Sequence, residues 1–155
     1  CIGHLAGENL PELRNCFART RGELIIIRAP QLPGECAYHG GIFALPLGDQ
    51  LFKIGASYGH HLLEDKPTEE GKSWLIQQWE KMYQGPYHVV DHLAGVRPTT
   101  RDRKPLLGTI RPGIHLFNGL GSRGVMMAPY LGKHFLQYLL DGQPLAKQWD
   151  WQRLT

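Results

Sequence analysis

The chain has 155 residues, 42% of them hydrophobic, which is apolar material for the core of one ordinary domain and excludes a disordered tail. Its 17 Lys+Arg against 14 Asp+Glu leave a formal net charge of +3, too mild for a dedicated nucleic-acid binder though compatible with an anionic substrate or cofactor. No run approaches the roughly 20 apolar residues that span a bilayer, so no membrane anchor is expected.

Cys1-Ile2-Gly3-His4 reads as the end of a buried strand entering a turn, and the chain does not start with Met, so a fragment of a longer protein is expected. Leu5 to Arg19 is short and mixed, with Pro11 suited to the first turn of a small helix or to a bend. Leu24-Ile25-Ile26-Ile27, within Gly22 to Ala29, predicts a buried strand stopped by Pro30. After a Pro33-Gly34 turn, strands are predicted over Tyr38 to Pro46 and Leu51 to Ser57, linked in hairpin fashion by Gly48-Asp49-Gln50.

Pro67-Thr68-Glu69-Glu70 marks a helix start, where Thr68 can cap free N–H groups and the glutamates suit the positive end of the dipole. Leu75, Trp79 and Met82 recur at helical spacing and face a core; Gly85-Pro86 ends the helix, and Tyr87 to Pro98 reads as a strand. Ile114 to Asn118 is a short strand running into Gly119-Leu120-Gly121-Ser122-Arg123-Gly124. A helix to about Leu140 follows, with an apolar stripe of Leu131, Phe135 and Leu139. Pro129 is expected in its first turn, which puts the start between Gly124 and Ala128, and Gly142 is expected just past its end.

Cys1, Cys16 and Cys36 form no CxxC pair, so free thiols are expected rather than a zinc knuckle or a disulfide framework. With no recognisable targeting segment, this leads to the expectation of a cytoplasmic protein. His60 and His61 are adjacent and cannot share one face, and no HExxH-like spacing occurs, so no metal site is expected.

Residues 119–124 match GxGxxG between a strand and a helix. A first Rossmann unit would need a second strand and an acidic ribose contact about 20 residues on. Only the thirteen residues Gln143 to Thr155 follow Gly142, and they offer neither. Two readings survive: a turn that needs glycine for positive φ, or a helix N-terminus aimed at an electron-rich, partly anionic group.

Gly95-Val96-Arg97-Pro98-Thr99-Thr100-Arg101-Asp102-Arg103-Lys104-Pro105-Leu106-Leu107-Gly108 resembles the G-(L/V/I)-R-P-x-T-x-D-x-x-P-x-(I/L/V)-G segment of FAD-dependent amine oxidases, in the glycine oxidase branch of the D-amino-acid oxidase superfamily. The family's following strand, glycine turn, "A-P" helix start and closing Gly have counterparts in Ile114–Asn118, Gly119–Gly124, Ala128-Pro129 and Gly142. Upstream, Arg21-Gly22-Glu23 is similar to its "RGQ", Phe43-Ala44-Leu45-Pro46 to "Y-(I/L)-x-P", Ile54-Gly55-Ala56-Ser57 to "(V/I)-G-A-T", and Ile2-Gly3 to the "A-x-G" strand end.

The resemblance implies an α+β fold: an antiparallel substrate-domain sheet with flanking helices, plus the last strand and helix of a Rossmann-like FAD domain whose N-terminal dinucleotide-binding part lies outside this chain. The implied divisions are 1–20 (flavin-strand end and linker), 21–100 (substrate domain) and 101–155 (return to the FAD domain). Family members oxidise a C–N bond by hydride transfer to flavin N5, hydrolyse the imine, and reoxidise the flavin with oxygen or another acceptor.

By the same likeness Arg97 grips the substrate carboxylate, and Phe43 and Tyr58 lie near the substrate, with Arg97 and Tyr58 as the catalytic candidates. The resemblance further implies that Gly3, Gly121, Ser122, Arg123, Gly124, Val125 and Met126 face the flavin. Phe43 stands where members place a tyrosine. Gly-Ser-Arg-Gly replaces the Arg-Asn-Gly of glycine oxidases and is closer to the oxidase domain of the bifunctional tRNA wobble-uridine enzyme, so tRNA is a second candidate substrate beside a small amine or amino acid. A cofactor-free binding module on the same scaffold is a third reading. Without a pyrophosphate-binding half, the chain by itself is expected to bind FAD poorly and to be inactive. Asp102, in the Arg101–Lys104 charge run, is expected to bond loop N–H groups.

Overall fold

The computed structural model of the chain describes residues 3–59 and 65–155, so the expectations for Cys1, Ile2, His60 and His61 lie outside the described residues. The chain divides into two compact units, Cys1–Thr20 with Arg97–Thr155, and Arg21–Val96.

The Arg21–Val96 unit, the central one, is a five-stranded sheet in the order β2-β3-β4-β1-β5, carrying one helix. Its strands are β1 (Thr20–Arg28), β2 (Tyr38–His39), β3 (Phe43–Gly48), β4 (Leu51–Gly55) and β5 (His88–Arg97). The β1–β4, β2–β3 and β3–β4 ladders are antiparallel. The apolar run of β1 alternates in burial: Arg21, Glu23, Ile25, Ile27 and Ala29 are buried, and Leu24 and Ile26 only partly. One face of β1 therefore passes from a polar end into the core.

That core joins Ile25 and Ile27 to Phe52, Ile54, Leu75 and Trp79. The last two come from α2 (Glu69–Glu80), which starts where the cap signal placed it: Thr68 accepts the N–H of Gly71 at 3.1 Å. Met82 lies beyond the end of α2 yet still packs on the core. The β3–β4 connection is a tight hairpin with Asp49 and Gln50 at φ 50° and 63°, the left-handed pair that matches strand twist. The strand expected over Tyr38 to Pro46 is instead two, because Gly40-Gly41-Ile42 turns the chain so that β2 pairs back on β3; Gly41 takes φ 86° there.

The other unit has α1 (Ala6–Asn9), a 3-10 turn at Pro11–Leu13, the hairpin β6 (Leu106–Arg111) and β7 (Ile114–Asn118), α3 (Gly124–Asp141), and a 3-10 turn at Trp151–Leu154. Ala6, Leu13, Cys16, Leu106, Leu116 and Trp151 form its core. Strand β6 was not foreseen from the sequence, although Pro112-Gly113 after an apolar run is a hairpin signal, with Gly113 at φ 76°. Helix α3 begins at the early edge of its expected window, which places Pro129 in the second turn and not the first. The carbonyl left without an N–H partner is that of Val125, a 97% exposed residue, so water can satisfy it. Gly142 closes α3 at φ 67°. Among the described residues no helix is long and apolar enough to cross a membrane.

Candidate functional site

The two motifs singled out in the sequence meet in the discontinuous unit. After Arg97, Pro98 turns the backbone so tightly that the N–H of Thr99 donates to the Arg97 carbonyl at 2.8 Å. Thr99 and Thr100 are buried, and Thr99 shares a 2.8 Å hydroxyl bond with Thr20. Against them lies the glycine turn. At Gly119 (φ 73°) a Cβ would stand 2.7 Å from Thr100 Cγ2, and at Gly121 (φ 56°) one would reach Thr99 Oγ1 at 3.8 Å. Gly119 is thus required both by conformation and by space, and Gly121 by conformation.

Asn118, which sequence reasoning passed over as a strand end, links the turn to Gly3. Its Nδ2 donates to the Gly3 carbonyl at 2.8 Å and its Oδ1 accepts the N–H of Gly119 at 2.8 Å. An Asn leaving a strand before a glycine was the available signal, since such a side chain bridges two backbones where an apolar one bridges none.

Gly121, Ser122 and Arg123 form a single 3-10 turn that leads into α3. Among the described residues no side chain caps α3, so the first N–H groups of the helix keep their positive potential. Arg123 reaches the Arg103 carbonyl at 3.4 Å. Val125 and Met126 are 97% and 71% exposed, an apolar pair projecting from the helix start. Gly3, Gly121, Ser122, Arg123, Gly124, Val125 and Met126 therefore belong to one unit, with Asn118 joining the two segments that carry them. An uncapped helix N-terminus beside exposed apolar side chains fits a flat, polarisable ring bearing an electron-rich edge.

Asp102 is half-buried and forms a two-pronged pair with Arg153, at 2.7 Å (Nε to Oδ2) and 3.0 Å (Nη2 to Oδ1). It also accepts the Lys104 N–H at 3.1 Å. The hydrogen bonds from Arg153 hold its carboxyl below the ordinary aspartate value despite partial burial. Its work is to close the charged loop.

Phe43 and Tyr58 fall in the central unit. The Phe43 ring lies beneath Gly55, where a Cβ would be 3.0 Å from Cζ, and Tyr58 is 51% exposed just beyond β4. Near them is a buried cluster absent from the sequence-derived site: Glu23 with Arg21, Thr68 and His92. Burial alone would raise the Glu23 carboxyl, but bonds from Thr68, the Arg21 charge and the His92 bond together hold it below its ordinary value.

The family model DAO, FAD dependent oxidoreductase, matches residues 1–138. The chain superposes on iminodiacetate oxidase from Chelativorans sp. BNC1 with TM-score 0.79 and 21% identity, covering 96% of this chain and 44% of that one. For glycine oxidase from Geobacillus kaustophilus the TM-score is 0.75 at 21% identity, covering 99% and 43%. In sequence it is 28% identical over 113 residues to the tRNA 5-methylaminomethyl-2-thiouridine biosynthesis bifunctional protein MnmC of Maricaulis maris, 73% of this chain and 18% of that protein. The chain thus spans less than half the length of the structures and relatives it matches.

Proposed function

The chain belongs to the FAD-dependent oxidoreductases of the DAO family, and from that premise we propose that it is the substrate-domain and C-terminal portion of an oxidase acting on the C–N bond of a carboxylate-bearing amine. When bound, FAD supplies the hydride acceptor for that bond. The observation that carries the reading is the packing of the Arg97–Thr100 segment against the glycine turn that opens α3.

In this reading Arg97 binds the substrate carboxylate through two parallel charge-assisted bonds. The reading also assigns Phe43 and Tyr58 of the central unit to the substrate. Gly3 and residues 121–126 take the flavin: glycine backbones permit close approach, the α3 N-terminus stabilises negative charge on the ring edge, and Val125 and Met126 cover apolar ring surface. Excluding water from that surface protects the C–N step from side reaction.

A second reading keeps the chemistry and makes the amine part of a tRNA wobble uridine. The Gly-Ser-Arg-Gly turn and the likeness to the MnmC proteins favour it. One experiment addresses both. The complete protein, purified with its flavin, is mixed anaerobically with glycine, iminodiacetate, or tRNA bearing a carboxymethylaminomethyl uridine, and the flavin absorbance is followed. Bleaching by a small amine supports the first reading and bleaching only by the tRNA supports the second. A flavin that none of them reduces sinks both.

A further inference from the structure

Glu23 is among the most completely paired side chains of the central unit, and its partners come from three separate elements. Its carboxylate, only 6% exposed, accepts the Thr68 N–H at 2.9 Å and the Thr68 hydroxyl at 2.8 Å at the start of α2. It takes Arg21 Nη2 at 2.9 Å from its own strand and meets His92 Nε2 of β5 at 2.8 Å. Gly71 makes room for it, since any Cβ there would lie 2.3 Å from Glu23 Oε2.

The same two residues of β1 bracket Tyr58. Ser57 is bonded to the backbone of Glu23: its hydroxyl accepts the Glu23 N–H at 2.9 Å and its own N–H donates to the Glu23 carbonyl at 3.0 Å. Gly59 is paired with Arg21 in both directions at 2.9 Å. The Arg21 side chain also donates to the Lys66 carbonyl. The Arg21 guanidinium is buried, its Nε has no hydrogen-bond partner among the described residues, and its Nη2 is paired with the Glu23 carboxylate, an anion that offsets the cost of burying this cation. Removing that charge would leave a buried cation uncompensated, and the side chain is then expected to relax toward water and loosen the backbone pairing of Arg21 with Gly59.

We propose that Glu23 is a positioning residue for the substrate side of the central unit: through Arg21 and Thr68 it fixes the strand end that presents Tyr58. The inference rests on the oxidase reading.

The test uses the complete flavin-loaded protein. Glu23→Ala is expected to raise KM for the amine at least about tenfold while kcat falls less than about threefold. Glu23→Gln keeps a carbonyl acceptor for Thr68 but loses the charge, and is expected to raise KM about threefold. Hydrogen exchange at the amides of Gly59 and Thr68 is expected to accelerate about tenfold or more in Glu23→Ala, with the β6–β7 hairpin unchanged. A KM within twofold of wild type, or acceleration spread equally over β6–β7, overturns the proposal. If Glu23→Ala fails to fold, Glu23→Gln decides, and wild-type KM and exchange in it overturn the proposal. A wild-type flavin that no amine reduces removes the oxidase reading instead. Exchange at Gly59 and Thr68 then decides by itself whether Glu23 holds the strand end.

Discussion

The indole of Trp151 lies against Gly108 so closely that a Cβ on the glycine would stand 2.8 Å from Cδ1. The same indole donates from Nε1 to the carbonyl of Thr109 at 3.2 Å, and Gly108 holds φ 136°. The C-terminal 3-10 turn is thereby fastened to β6. Gly108→Ala therefore meets two penalties, a side chain with no space and a backbone angle it resists. The expected loss is about 2–4 kcal/mol of stability, read by urea unfolding. Trp151→Phe, which keeps the ring and drops the hydrogen bond, is expected to lose only about 1 kcal/mol.

Gly108 also marks how far the sequence could be read. Its place in the motif was legible by resemblance, but its reason was not, because Trp151 lies 43 residues away and nothing local announces the contact. Cap and turn chemistry were legible for the same physical reason in reverse: Thr68 with Gly71, Asp49-Gln50 and Gly142 act within a few residues of themselves. Strand β6 was missed because its pairing with β7 is what makes it a strand. The Glu23 cluster was invisible because Arg21, Thr68 and His92 converge only once the sheet is formed.

Asp102 and Arg153 form a second long-range clasp, with side chains 28% and 15% exposed. Arg153 further donates to the carbonyls of Asp150 and Lys104, at 2.8 and 3.0 Å. Asp102→Ala should cost about 1–2 kcal/mol, more than an ordinary surface pair, because two charge-assisted bonds and a loop N–H lose their acceptor together. A double-mutant cycle with Arg153→Ala should show coupling of about 1 kcal/mol. Additive losses would mean that the clasp contributes nothing as a pair.

Acid should weaken the fold in a defined window. Glu23 and Asp102 both have folded pKa values below their ordinary ones, Glu23 because its hydrogen bonds and the Arg21 charge outweigh burial, Asp102 chiefly through Arg153. A depressed folded value means that the stabilisation is complete above the ordinary carboxylate range, about 4 to 4.5, and fades as pH falls through the folded values. Melting temperature should hold from neutrality down to about pH 5 and then drop. Glu23→Gln and Asp102→Asn should each flatten that drop while lowering the plateau.

Tyr87 titrates at the other extreme. Burial, then the bond to Glu80 at 3.0 Å and the Glu80 charge, push its phenol up to about 12. Its contribution to stability is present below the ordinary value near 10 and is lost as pH rises through about 12. Ultraviolet titration of the tyrosines should show a phenol ionising at about 12, and Glu80→Gln should bring it down. A late phenol that persists in Glu80→Gln would assign the shift to burial alone.

Arg97 offers the sharpest test of substrate class. In the oxidase reading its guanidinium grips a carboxylate in a planar, two-bond geometry that a lysine cannot reproduce. Arg97→Lys in the complete protein should raise KM for a carboxylate-bearing amine by about 10- to 100-fold, the loss of one strong charge-assisted bond. Flavin content and the rate with an amine lacking the carboxylate should stay near wild type. Equal losses for both amines would place Arg97 in the frame of the fold rather than on the substrate, and the carboxylate would then need another partner.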